Sequence, residues 1–153
     1  MDINWSYKNK SHVFDIKDST GVPYLSFKAL DDTGLAVNGF STRMGGASRG
    51  KFSTMNFSYS RGDAAEDVLE NFTRMAAALG VERDRMVVSH QTHTVNLRRV
   101  TQEDAGKGVV RERDYRDIDG LITDVPGLTL VTFYADCVPL YLLDPVNRAI
   151  GLS

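Results

Sequence analysis

An α/β fold, of short strands flanked by helix, is the class this sequence predicts. Short strand-like runs alternate along the chain with one amphipathic helix between Asp63 and Leu79. Two near-continuous apolar runs, Leu128 to Phe133 and Leu140 to Leu143, have the composition of strands covered on both faces. A chain of 153 residues and 17.0 kDa has room for about one domain. Its 42% apolar and 25% charged content excludes a disordered or collagen-like chain.

The first elements are strands. Val13 to Ile16 and Tyr24 to Leu30 partly alternate apolar and polar residues, and the turn-forming stretch Asp18-Ser19-Thr20-Gly21-Val22-Pro23 between them predicts a hairpin. Leu35 to Ser41 reads as a third strand, followed by a glycine-rich loop to Gly50. In the helix, Val68, Phe72, Met75, Ala76 and Leu79 recur at helical spacing. Asp63 is placed to cap it, with Glu66 completing a capping box and Gly80 ending it. Met86 to Val88 and Val95 to Leu97 read as strands around His90-Gln91-Thr92-His93. Six basic and six acidic residues mingle between Arg98 and Asp119, which predicts a solvated connector over Thr101 to Asp119. Leu121 to Thr123 and the two apolar runs are further strands, separated by turns at Asp124-Val125-Pro126-Gly127 and Asp144-Pro145-Val146-Asn147. Arg148 to Leu152 opens another strand just before the last residue, Ser153, so the domain is expected to be incomplete at its C-terminus.

Composition narrows the function classes. A formal charge of −2 and a pI near 5.9 argue against a dedicated nucleic-acid binder. The stretch Met1 to Lys8 lacks the apolar core of a signal peptide, and Leu128 to Leu143 is too short and too interrupted to span a bilayer. A cytoplasmic protein without membrane partners is the expectation. The single cysteine, Cys137, has no internal disulfide partner.

Few residues carry chemistry. His93 and Cys137 are both good zinc ligands, and a catalytic zinc site would use three protein ligands and an open position. The same two residues could instead be a nucleophile and its base, or a buried thiol and a structural imidazole. In the Thr42 to Gly50 loop, Gly45 and Gly46 would let backbone amides approach an anion, with Arg43 adding contacts to phosphate; an ordinary connecting loop is the simpler alternative. Asp136 stands beside Cys137 as an acid–base group or a turn residue. His90 reads as structural and His12 as a surface residue.

Several blocks together resemble one family, the laccase-domain or multicopper polyphenol oxidase proteins, later regarded as zinc-dependent purine nucleoside phosphorylases. They are Phe40-Ser41-Thr42-Arg43-Met44-Gly45-Gly46-Ala47-Ser48, Met55-Asn56-Phe57-Ser58, Gly62-Asp63, Glu70-Asn71, His90-Gln91-Thr92-His93, Asp119-Gly120-Leu121-Ile122-Thr123, Pro126-Gly127, Ala135-Asp136-Cys137-Val138-Pro139-Leu140 and Asp144-Pro145. The blocks run in unbroken order over about residues 36 to 153. Thr94 departs from the pattern, since many relatives have glycine there.

The resemblance implies a multi-layer sandwich of mixed sheets, of which residues 1–153 would be the N-terminal portion of a single domain of about 250 residues. It implies His93 and Cys137 as zinc ligands and as the catalytic pair, with a further histidine in a block that would follow Ser153. It also implies phosphorolysis of adenosine, inosine, guanosine and methylthioadenosine, and deamination of adenosine. Purine nucleosides and phosphate would be the partners, with self-association possible through an uncovered sheet edge. Copper-based phenol oxidation needs a large supply of histidines, and this chain has three. Two other readings stand beside the enzyme: a non-catalytic fragment or binding module, and a metal-free Cys–His hydrolase.

Overall fold

The computed structural model describes Ser6 and residues 12–153; the N-terminal stretch read above for a signal peptide lies outside these, Ser6 apart. The predicted hairpin is present. Strands β1 (Phe14–Lys17) and β2 (Tyr24–Phe27) pair antiparallel, with Phe14 opposite Phe27 and Lys17 opposite Tyr24. The rest of the third expected strand is not formed: only β3 (Phe40–Ser41) pairs with β2, and β2 itself rolls at Lys28 into a single helical turn, α1 (Lys28–Asp31). Asn38 explains both differences. Its Oδ1 accepts the Phe27 N–H at 2.7 Å and its Nδ2 donates to Asp31 Oδ1 at 2.7 Å, so a side chain serves groups that a longer ladder would have paired.

The amphipathic helix, α2 (Ala65–Leu79), buries Val68, Phe72, Met75 and Ala76 to 6% exposure or less. Gly80 ends it at φ 70°, its N–H reaching back to the Ala76 and Ala77 carbonyls. The expected capping box is absent. The cap position is Ala64, with no side-chain capping bond, and Asp63 is engaged elsewhere. Its carboxylate accepts from Ser48, from Asn56 Nδ2 at 2.9 Å and from the Ala64 N–H at 3.0 Å; these bonds hold its pKa below the usual carboxylate range. Asn71, fully buried on α2, completes the clasp. It accepts the Ala47 N–H at 2.7 Å and donates to Ser48 Oγ at 2.8 Å and to the Asn56 carbonyl at 2.7 Å. Two irregular loops are thereby fastened to one helix.

Strand β4 (Met86–Val88) is the wall shared by two cores. Met86 and Val88 face Val68, Phe72, Ala76 and Val109; Val87 faces Val100, Tyr115, Leu121, Leu128 and Leu130. It pairs parallel with β7 (Thr129–Val131). The remaining strands form a mixed sheet: β5 (Leu97–Arg99) is parallel to β6 (Gly120–Thr123), which is antiparallel to β9 (Ala149–Leu152), which is antiparallel to β8 (Tyr141–Asp144). The first of these begins two residues later than the expected strand at Val95.

Both apolar runs are less enclosed than their composition predicts. Leu128 and Leu130 are buried, but Phe133 is 42% exposed. Strand β8 is a sheet edge among the described residues, with Leu140 and Leu142 at 53% and 54% exposure. Tyr141 points inward instead, its ring 4.8 Å from that of Phe27 and its hydroxyl donating to the Gly39 carbonyl. Burial here follows the period of two of a one-sided strand.

The expected solvated connector is corrected in part: Glu103, Arg111, Glu112, Asp114, Arg116 and Asp117 are exposed, but its middle is not. Asp104 and Lys107 are buried, at 3% and 7% exposure, and Val109 and Tyr115 join the core. Opposite charges make this burial possible: Asp104 Oδ1 accepts from Lys107 Nζ at 2.7 Å and from Arg98 at 2.9 Å, while Oδ2 takes the Thr101 N–H. Lys107 also pairs with Asp114, and the Arg98 guanidinium lies 4.6 Å over the Tyr115 ring. Burial alone would raise the Asp104 pKa, but the Lys107, Thr101 and Arg98 bonds outweigh it and hold the group at about 2.

Two outcomes are expected. Replacing Asn71 with alanine strips partners from buried groups in both loops and should cost about 3 kcal/mol in urea unfolding. A native pKa below the unfolded value means that the stabilisation from Asp104 is complete above about pH 4 and lost as pH falls toward 2. The stability gap between the unaltered chain and Asp104→Asn, measured by thermal unfolding, should therefore be widest near neutrality, about 2–4 kcal/mol, and shrink through that acid window.

Candidate functional site

His93 and Cys137 sit on different loops, and one side chain ties those loops together. Gln91 uses its amide as a strand would use its backbone: Oε1 accepts the Phe133 N–H at 2.7 Å and Nε2 donates to the Phe133 carbonyl at 2.9 Å. Ser89 Oγ donates to the same Oε1 at 3.0 Å. The loop bearing His93 is thus fixed to the start of the segment that carries Cys137.

The His93 loop is held from its other side by Asp119. The backbone N–H groups of Thr92, His93 and Thr94 all donate to its carboxylate, at 3.1, 2.8 and 3.0 Å, and Thr94 Oγ1 adds a fourth bond at 2.9 Å. Burial would raise the Asp119 pKa, but the Thr94 and Thr92 amides, the Thr94 hydroxyl and the His93 amide bring it to about 2. His93 itself adopts φ 63°, a conformation uncommon outside glycine. His90, read from sequence as structural, lines the same hollow as His93. Its backbone pairs with Ile118 in both directions and its Nδ1 accepts the Asp117 N–H, which puts the proton of the neutral ring on Nε2. His12 is exposed.

Both loops open on a broad cleft of about 2140 Å³, whose walls include Phe40, Arg43, His93, Tyr134, Cys137 and Ser153. Asp136 lines it too, and the Cys137 thiol is free and exposed. The Tyr134 pKa is raised, chiefly by burial, against a lowering bond from Thr132 and with a smaller contribution from Cys137 nearby. Arg43 reaches the cleft with one guanidinium nitrogen, Nη2, held by the Ser53 carbonyl at 2.9 Å.

Gly45 and Gly46 do not line this cleft. They face a smaller hollow with Thr20, Val22 and Arg74. A Cβ on Gly45 would stand 2.3 Å from the Gly21 carbonyl oxygen, and one on Gly46 would stand 2.0 Å from that of Thr54, so both glycines serve close backbone packing. The neighbouring amides are also engaged: Met44 with Thr42 Oγ1, Gly46 with Thr54 Oγ1, Ala47 with Asn71 and Ser48 with the Thr54 carbonyl. Of the expected anion-binding group, Arg43 alone faces the cleft.

Imidazole and thiolate suit zinc, and His93 and Cys137 would be the residues to hold it. Among the described residues no group of three His, Cys, Asp or Glu side chains comes together as a metal site, so the donor chemistry fits but a third protein ligand is not among them. Gln91 and Asp119 were not singled out from sequence. The signal was present, since both stand in blocks that carry the family resemblance, but nothing in those blocks says which backbone groups the two side chains would reach.

Residues 37–153 match the family model described as multi-copper polyphenol oxidoreductase laccase. The chain is 36% identical over 122 residues to the purine nucleoside phosphorylase YlmD of Geobacillus stearothermophilus and 33% identical over 121 residues to that of Bacillus subtilis. These alignments cover 77% and 76% of this chain but 43% and 42% of those proteins. The crystal structure of YlmD from Geobacillus stearothermophilus superposes with a TM-score of 0.79 at 34% identity, over 92% of this chain and 51% of that one. The hypothetical protein YfiH of Bacillus licheniformis gives 0.79 at 30% identity, over 90% and 51%. The chain thus spans about half the length, or somewhat less, of the relatives it matches. With the sequence match running through the cleft loops and the fold shared over nine-tenths of the chain, this protein belongs to the multi-copper polyphenol oxidoreductase laccase family.

Proposed function

We propose that the cleft is a purine nucleoside site, serving phosphorolysis of adenosine, inosine, guanosine and methylthioadenosine and the hydrolytic deamination of adenosine. The observation behind this reading is the similarity to proteins named purine nucleoside phosphorylase, with His93, Cys137 and Arg43, from three separate loops, all bordering one broad open cleft. Residues 1–153 would form the N-terminal part of one family domain, with zinc as its cofactor. A cytoplasmic setting belongs to the same proposal; among the described residues no helix is long and apolar enough to cross a membrane.

The chemistry asks different things of the residues. In phosphorolysis a phosphate oxygen bonds to the ribose anomeric carbon as the bond to the purine nitrogen breaks, and the departing base takes up a proton. Arg43 would hold the phosphate. Its Nη2 is already anchored to Ser53, so the rest of the guanidinium is oriented before the anion arrives. Phe40, Phe133 and Tyr134 offer the flat apolar surface a purine needs. In deamination, water replaces the amino group at the purine C6 and ammonia leaves. Bound zinc would supply a polarised water for this step; His93 and Cys137 would fix its place in the cleft.

Two protein donors hold a metal less tightly than three, because water competes for every vacant position. A polypeptide limited to residues 1–153 is therefore expected to contain substoichiometric zinc and to turn over adenosine and inosine slowly beside the longer Bacillus subtilis relative. Free-base release with and without phosphate, ammonia release and metal content check this. Turnover equal to the relative's would mean that another residue replaces the third ligand, and turnover untouched by a chelator would favour the metal-free Cys–His hydrolase. No turnover, with no zinc even at saturating metal, would favour the binding module.

A further inference from the structure

We propose that Asp119 is the positioning residue of His93, holding the backbone of residues 92–94 in the one shape that presents the imidazole to the cleft; this rests on the reading of His93 as a ligand in that cleft. Three consecutive amides converge on one carboxylate, a concavity normally built to receive an anion and here filled by the chain's own. The middle amide is that of His93, at 2.8 Å, and the residue it belongs to has φ 63°. A β-carbon in that region carries a steric penalty, so the conformation persists only where its surroundings over-determine it.

Those surroundings can be named. Thr92 Oγ1 donates to Asp117 Oδ1, Thr94 Oγ1 reaches the Asp117 carbonyl as well as Asp119, and Asn96 Nδ2 donates to the Asp117 carbonyl. The acceptors come from the lead into β6, and the Asp119 and Gly120 amides return bonds to the Asn96 carbonyl. Strand β6 is antiparallel to β9 and its Leu121 is fully buried, so Asp119 stands on a rigid base. The one Thr94 hydroxyl proton is directed chiefly at Asp119, at 2.9 Å, with the Asp117 carbonyl farther off at 3.3 Å. The charge matters as much as the shape. A neutral asparagine would turn one acceptor into a donor aimed at an N–H.

The test uses the whole chain and cobalt(II) alone as the probe, titrated while thiolate-to-cobalt absorption is followed. Asp119→Asn should weaken cobalt binding at least about tenfold while far-ultraviolet circular dichroism stays unchanged, and Asp119→Glu, which keeps the charge, should recover part of the loss. Unchanged affinity in Asp119→Asn overturns the proposal. His93→Ala is the separate control: unchanged binding there overturns the reading of His93 as a ligand, and Asp119 is then judged on its backbone role. That role is read in the unaltered protein by amide hydrogen exchange. Thr92, His93 and Thr94 should be protected together, although all three are exposed; exchange at the rate of a free loop overturns the proposal, including in the case where Asp119→Asn fails to fold.

Discussion

Backbone amides and carbonyls withdrawn from water must be paired, and much of this chain is irregular, with few ladders to pair them. Side chains meet the need. Asn38 serves the end of β2, Asn71 the loops at Ala47 and Asn56, Gln91 the backbone of Phe133, Asp104 the amide of Thr101, and Asp119 the amides of residues 92–94. Each of these residues takes the part of a missing strand or turn. Their geometry is specific, because an amide or carboxylate matches one arrangement of donors and acceptors, whereas apolar contact tolerates many.

The same residues explain how a site can stand on loops. Strand β4 and helix α2 form the inner scaffold, and neither contributes a proposed ligand. His93 and Cys137 lie at some remove from it, on segments that would wander if only their ends were fixed. Gln91 couples the two segments to each other and Asp119 couples the first to β6. Precision in the cleft therefore descends from the sheets through polar side chains, by bonds that an apolar core could not supply.

Charge is used inward as well as outward. The Arg98–Asp104–Lys107–Asp114 network sits beneath Tyr115, whose phenol is pushed up to about 12, first of all by burial. Charges in such a place are tolerable only as neutralised sets, since either partner alone would face an uncompensated desolvation cost. This is why two charges of a segment read along the chain as a solvated face, Asp104 and Lys107, fold beneath the surface while most of their charged neighbours stay exposed.

Much was legible from residues alone. The apolar stripe and terminal glycine of α2, the β1–β2 hairpin and the strand at β4 follow from periodicity and turn chemistry, which are local, and the mixed sheets were implied by the family resemblance. The family was legible too, because its blocks survive in order. Tertiary structure decided the rest. Asp63 could have capped a helix, but Ser48 and Asn56 claimed its carboxylate. Gly45 and Gly46 could have stood beside Arg43 on the cleft, but they line another hollow, packed against the Gly21 and Thr54 carbonyls. Asp119 looked like the first letter of a strand motif and turns out to hold the loop of His93 from 26 positions away. A side chain's partner is chosen by three-dimensional proximity, and no spacing along the chain encodes which of several competing groups will arrive first.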